Sequence, residues 1–195
     1  MTRGSDLKMG MYEMFVRPAG RDGNAGGRLM AQEGTSMARE VVALLGSLPP
    51  RGRVLEVGFG PGVGIATLLK VHPEVQVYGV DHSALMHEHA AARNADAIEA
   101  GRVVLLLGSA GHLPVEDCSC DAAMVVDNLH FWPDPHAGLR ELHRALRPRA
   151  KVVCAFTPPS GGPPSSLVEM FAQTGFEEID ERQTTAGYLL HAVRP

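Results

Sequence analysis

The sequence predicts an α/β fold, a doubly wound sheet that is mostly parallel and closes with an antiparallel hairpin. Three observations carry this. From residue 35 onward, short apolar runs alternate with stretches of helical period. Several of the runs, such as RVVLLL at 102–107, read as unbroken apolar strands, the pattern of parallel strands covered on both faces. The last two runs, 176–183 and 187–195, are joined by the short turn 184–187, which can link only antiparallel neighbours.

Each element has a local reason. Residues 1–34 are rich in Gly and Met and read as a loose arm with one short helix around 11–16. Thr35 or Ser36 fits the N-cap of a helix whose apolar positions Val41, Leu44, Leu45 and Leu48 recur at helical period, and Pro49 and Pro50 end it. A strand at 54–57 leads into a helix at 63–71. The strand 75–80 ends at Asp81, and Ser83 caps a long helix that Gly101 stops. Strands follow at 102–107 and 122–126. Asp134 and Pro135 suit N-cap and N1 of a helix with Leu139, Leu142 and Leu146 on one face and a stop at Pro148. A strand at 151–156 and a helix within 165–176, stopped by Gly175, precede the hairpin. The expected organisation is an arm, 1–34, and one folded body, 35–195.

Bulk properties narrow the function classes. The 195 residues suit one domain with a substantial core. Apolar residues make up 45% and charged residues 21%, and the net charge is −4, so no basic footprint points to nucleic acid. No apolar run approaches the length of a membrane span, and the first residues lack the apolar core of a signal peptide. Cys118, Cys120 and Cys154 are odd in number and lack a C-x-x-C spacing, so reduced thiols in a cytoplasmic protein are expected.

The stretch RVLEVGFGPGVG, residues 53–64, holds the main chemical signal. Gly58, Gly60, Gly62 and Gly64 alternate after a strand that carries Glu56 among apolar residues. Glycines permit positive φ and let backbone N–H groups approach a ligand. In open α/β sheets that ligand lies beyond the carboxyl ends of the strands, where strand order reverses. Asp81, 23 residues after Gly58, ends the second strand, where a carboxylate can accept hydrogen bonds from both ribose hydroxyls. An adenosine-containing ligand is the expectation. A dinucleotide fingerprint G-x-G-x-x-G fails in both registers, because Val63 and Ile65 stand where its third glycine belongs. A carboxylate at Glu56 would also repel a pyrophosphate and favour a cation.

The pattern Glu56-x-Gly58-x-Gly60-x-Gly62 resembles the first motif of class I S-adenosylmethionine-dependent methyltransferases. VYGVDHSALM is similar to the family's second strand. GSAGHLPVEDCSCDAAMVVDNLHFWPDP and LRELHRALRPRAKVVCAF resemble later segments of its quinone- and small-molecule-methylating, methyltransferase type 11-like branch. The resemblance covers roughly 35–195 and implies a Rossmann-like seven-stranded sheet. It implies S-adenosylmethionine as cofactor, held by Glu56, Gly58, Phe59, Gly60, Gly62, Asp81, His82 and Met86. It also implies Ser109 and Ala110 near the adenine and Asp127 and Asn128 near the methionine part. Three departures stand out. Ser109–Ala110 replaces an acid followed by Ala, Arg149–Ala150 replaces Gly-Gly, and the segment TPPSGGPP at 157–164 is short where relatives carry a helical cap.

Methyl transfer from a sulfonium needs proximity and alignment, plus a base where the acceptor must lose a proton. His130 is the candidate base, with helix-start packing as its plainer role. Phe131 and Trp132 are candidates for the acceptor wall or for the core. The arm residues Met9, Met11, Tyr12, Met14, Phe15, Leu29 and Met30 suit a lid hinged on Gly20, Gly23, Gly26 and Gly27, or alternatively a homodimer contact or a simple packing arm. No metal is expected. His87 and His89 lie on different helix faces, His136 and His143 lack a third ligand, and no H-E-x-x-H occurs. Arg140, Arg144, Arg147, Arg149 and Lys151 read as a solvated face. The function expected is methyl transfer to a small or lipid-like acceptor. The alternatives are a non-catalytic cofactor-binding partner protein and, less favoured by the glycine register, an NAD-type oxidoreductase.

Overall fold

The computed structural model describes Pro18 and residues 20–195. The described strands form one sheet: β1 (Arg53–Val57), β2 (Gln76–Asp81), β3 (Val103–Leu107), β4 (Cys120–Val126), β5 (Leu146–Phe156), β6 (Glu177–Gln183) and β7 (Tyr188–Val193). Their order is β3-β2-β1-β4-β5-β7-β6. The first five strands pair in parallel, and β7 runs antiparallel to both β5 and β6. This is the doubly wound, seven-stranded sheet with an antiparallel hairpin that the sequence predicts. The hairpin's second strand lies inside and its first takes the edge. Composition accounts for this: β7 buries Leu189, Leu190, Ala192 and Val193, whereas β6, EEIDERQ, is mostly exposed and carries the charge that blunts an edge strand.

Helices cover both faces. On one lie α1 (Gly20–Glu33), α2 (Thr35–Leu45), α3 (Val63–Val71), α4 (Ala84–Arg93) and the short α5 (Ala95–Glu99). Met37, Val41, Ile65, Leu68, Met86 and Ala97 form the core there. On the other, α6 (Pro135–Ala145) and α7 (Leu167–Gln173) bury Leu139, Leu142, Leu167 and Phe171. The expected caps form at two helices. Ser83 Oγ accepts from the Met86 N–H at 3.3 Å, and Asp134 Oδ1 accepts from the Ala137 N–H at 2.9 Å, with Pro135 in the first turn. No helix among the described residues is long and apolar enough to cross a membrane.

Several boundaries differ from the sequence reading. The long helix after Ser83 breaks at Asn94, whose Nδ2 donates to the Ala90 and Gly62 carbonyls at 3.0 and 3.2 Å and so competes with the helix ladder. At α2 the N-cap is Gly34, with no side-chain cap from Thr35 or Ser36, and Gly46 at φ +74° ends the helix before Leu48. α6 stops at Ala145, ahead of Pro148, because Leu146 already pairs with Cys120 in the sheet. The solvated basic face resolves into specific pairs. Arg144 binds Glu141 and Asp117 at 2.8 and 2.6 Å, Arg149 binds Glu178 at 2.7 Å, Arg147 binds Asp121, and Lys151 donates to the Leu44 carbonyl.

The arm holds the largest difference. Residues read as loose form the 14-residue α1, while the short helix expected around 11–16 lies outside the described residues. Gly23 and Gly27 face α4 closely. A Cβ at Gly23 would stand 2.9 Å from Leu85 Cδ2, and one at Gly27 2.8 Å from His89 Cε1. These glycines serve helix-on-helix approach within a helix, not a hinge in a loop.

Candidate active site

Strand order reverses between β1 and β4, and their carboxyl ends frame the site. Asn128, just past β4, fastens them together. Its Nδ2 donates to the Val57 and Val126 carbonyls at 2.8 and 2.9 Å, and its Oδ1 accepts from the Trp132 indole N–H at 2.8 Å. The Trp132 ring occupies the space left by Gly138. Both side chains are therefore engaged in holding the frame.

The glycines of the loop have different reasons. Gly58, Gly60 and Gly62 all take positive φ, +71°, +50° and +77°. A side chain at Gly58 would collide with Asn128, and one at Gly62 would stand 2.9 Å from Ala90 Cα. Protein packing explains those two. At Gly60 the nearest atom is Met30 Sδ at 4.0 Å, so open space lies in front of the peptide there. The loop is held from below by Asp81, whose Oδ2 accepts from the Gly60 N–H and Oδ1 from the Ser83 N–H, each at 2.9 Å.

A cavity of about 770 Å³ opens over this loop, within the ~300–1,000 Å³ range of small-molecule sites. Its floor is Glu56, Gly58, Phe59 and Gly60. Asp127 and Val126 come from the end of β4. Leu29 and Met30 of α1, Phe131, the turn Thr157–Ser160 and Ala186 complete the walls. No lysine or arginine lines it among the described residues.

Glu56 is 3% exposed, and its Oε2 has no hydrogen-bond partner among the described residues. It packs against Gly64, where any side chain would displace it. Burial first, then the neighbouring Asp81, push its carboxyl up to about 8, while the Ile65 N–H acts in the opposite direction. A buried acid with a free oxygen, beside a glycine open to the cavity, fits a ligand that brings a cation. It does not fit a pyrophosphate. The residues present thus suit the ammonium-bearing S-adenosylmethionine.

Asp127 holds positive φ (+55°), and its carboxylate accepts from the Thr157 N–H at 2.6 Å and the Thr157 hydroxyl at 2.8 Å. This pair anchors the 157–160 turn to the sheet. His130 follows in a 3₁₀ turn, its ring 3.9 Å from that of Phe131 and 5.4 Å from that of Phe156, centroid to centroid. Both ring nitrogens are buried, and neither has a hydrogen-bond partner among the described residues. Desolvation lowers its pKa, with Asp127 and the Ser160 backbone pulling the other way, so the imidazole is neutral near pH 7. It stands beside the cavity wall that Phe131 forms.

Of the residues singled out from sequence, the structure brings Glu56, Gly58, Phe59, Gly60, Asp127 and Phe131 onto one cavity. Asp81 adjoins through the Gly60 peptide, and Gly62 through the start of α3. His82 is exposed and lies 3.8 Å from Asp81, and Met86 is buried against Gly27. Ser109 is exposed and Ala110 half-buried, both beyond β3 and away from the cavity wall. Thr157, Ser160 and Ala186 escaped sequence reading. The one available signal was the Gly/Pro-rich punctuation of 158–164.

The methyltransferase-domain family model, Methyltransf_11, matches residues 55–154. The uncharacterised methyltransferase YdaC of Bacillus subtilis (strain 168) is 30% identical over 162 residues, covering 79% of this chain and 87% of that protein. The ubiquinone/menaquinone biosynthesis C-methyltransferase UbiE of Geotalea daltonii is 30% identical over 105 residues, covering 53% of this chain and 45% of that protein. The chain thus spans less than half the length of that second relative. Among solved structures, phosphoethanolamine N-methyltransferase 2 of Haemonchus contortus in complex with S-adenosyl-L-methionine matches with a TM-score of 0.71 at 18% identity. The match covers 82% of this chain and 52% of that one, a likeness of fold.

Proposed function

The chain belongs to the methyltransferase-domain family, and from that premise we propose that it transfers a methyl group from S-adenosylmethionine to an uncharged, largely apolar small molecule. The observation that carries the cofactor half is Glu56, a buried carboxylate with an unpartnered oxygen on the floor of a glycine-lined cavity. When bound, S-adenosylmethionine supplies a methyl group on a cationic sulfur, already activated for displacement. Glu56 would hold the ammonium of the methionine part, and the open face at Gly60 would offer the loop backbone to it. Asp81, at the end of β2, is the acid suited to the ribose.

The acceptor half rests on the walls. Leu29, Met30 and Phe131 exclude water and align the acceptor. With no basic side chain among the described lining residues, an anionic acceptor would find no partner, whereas a neutral one sits well. The relative named for ubiquinone and menaquinone biosynthesis acts, by its name, in the making of such apolar compounds. His130, neutral and behind Phe131, is the candidate to take the proton when the acceptor must lose one; its ring nitrogens are buried, so Phe131 has to shift before an acceptor reaches them. The Asp127–Thr157 pair fixes the turn in front of it.

Calorimetric titration with S-adenosylmethionine, S-adenosylhomocysteine and NAD tests the cofactor. The two sulfur ligands are expected to bind and NAD is not, and preferential binding of NAD would overturn the reading. Transfer of labelled methyl groups to a panel of neutral phenols and quinols, with phosphorylated analogues as counterparts, tests the acceptor class.

A further inference from the structure

The carboxylate at the centre of the site is costly while no cation faces it. Glu56 lies on the central strand, between Gly79 of β2 and Met124 of β4 and against Gly64 of α3. Among the described residues, one of its oxygens has no partner, and the Ile65 N–H of α3 is the backbone group acting on it. Among the described residues, the charged group that acts on it is another acid, Asp81 at the end of β2. No basic side chain of β1, β2, β4, α2 or α3 does so. A buried, unpaired charge next to a like charge is among the least favourable arrangements in a protein. A proton is the smallest cation that relieves it.

We propose that Glu56 carries a proton in the empty site and releases it to solvent when the ammonium group of S-adenosylmethionine arrives. Glu56 is then the residue that makes the site select a cationic ligand. The proposal rests on the reading of this cavity as the S-adenosylmethionine site. In the exchange the carboxyl O–H bond breaks, its proton goes to the buffer, and the carboxylate left behind pairs with an ammonium that keeps its own protons. An adenosine ligand without an ammonium group cannot replace the proton. It would meet either a carboxyl group with no use for it or a buried charge that repels it. The upward push on the Glu56 carboxyl from burial and from Asp81 agrees with this geometry.

The sign follows from linkage. A ligand that expels a proton binds more tightly as pH rises, until the proton is gone beforehand. Affinity should therefore rise about tenfold per pH unit between about pH 6 and pH 7, where the ligand's ammonium is still protonated. It should level off near the empty-site value of about 8.

The test is calorimetric titration of the full chain with S-adenosylmethionine and S-adenosylhomocysteine at about pH 6.5, in two buffers of different ionisation enthalpy. The expected result is release of nearly one proton per ligand bound, for both ligands, because both carry the ammonium. Glu56→Gln should bind more weakly and release none. Binding to the wild type without proton release would overturn the proposal while leaving the cofactor reading intact. So would an unchanged release from Glu56→Gln. If neither ligand binds, the cofactor reading itself fails. Should the variant not fold, the wild-type pH slope decides, with a flat slope sinking the idea.

Discussion

The two sides of the cavity are built to different standards. The side made by the β1 loop and the end of β4 is fastened into the sheet. Asn128 joins both strand ends, Asp81 holds Gly60, Asn94 holds Gly62, and Gly58 and Gly62 have no room for a side chain. The opposite side comes from segments outside the sheet. α1 leans on α4 through Asn24 and His89, Pro18 accepts a hydrogen bond from Ser83, and the 157–160 turn hangs on Asp127. The difference separates two tasks. A ligand shared across a family needs backbone held in one position. A variable acceptor is better met by side chains on segments that can change without disturbing the core.

Gly62→Val strikes the fastened side hardest. A branched side chain at φ +77° would press on Ala90 and Asn94, adding overpacking to backbone strain. A loss of about 4 kcal/mol is expected from the two effects together, read as a fall in the denaturation midpoint. Gly60→Ala should cost only about 1–2 kcal/mol, because space is open there and only the positive φ resists. Equal losses at the two positions would erase the distinction between packing glycines and a ligand-facing one.

Much of the fastened side was legible in the sequence because its signals are local. The alternating glycines, Glu56 within its strand, Asp81 at a strand end and the caps Ser83 and Asp134 each declare themselves within a few residues. The other side was not, because its causes are long-range. α1 has a composition poor for helices. It forms where Gly23 and Gly27 let it approach Leu85 and His89, more than 60 residues away. Thr157 meets Asp127 across 30 positions. The fastened side has long-range causes of its own that local signals miss, such as Asn94, which breaks its helix to reach Gly62 across 32. The resemblance places the backbone at Asn128 near the cofactor and says nothing of its side chain, whose use in holding the frame is visible only once β1 and β4 are adjacent.

Glu56→Gln gives an effect of intermediate size and opposite sign. In the empty protein burial and Asp81 push the carboxyl up to about 8, against 4.5 for a glutamate in the unfolded chain. The stability that the protonated group retains is complete below the lower value and is lost as pH climbs to the upper one. Near neutral pH the variant should therefore be more stable than the wild type by roughly 2–3 kcal/mol. The gap should close as pH falls. Thermal melts of the empty protein across that window check it. A constant gap would mean that Glu56 is already ionised and paired in the fold.

His89→Ala is the mildest change and the one that sharpens the comparison most. His89 Nε2 lies 2.8 Å from Asn24 Oδ1, and the same ring fills the space beside Gly27. Asn24 also donates to the Gly20 carbonyl, so one asparagine ties the start of α1 to α4. Removing the ring deletes one hydrogen bond and the surface against which the glycine face packs. The cost to global stability should be about 1 kcal/mol or less, because the sheet and its two cores are untouched. The effect should instead be local. Amide exchange is expected to speed up across 20–33 while β1, β4 and α3 stay protected, and bound S-adenosylmethionine should dissociate a few-fold faster as Leu29 and Met30 loosen over it. Unchanged exchange in α1 would show that this wall is as firmly built as the glycine loop. The division between a fixed cofactor side and an adjustable acceptor side would then have to be given up.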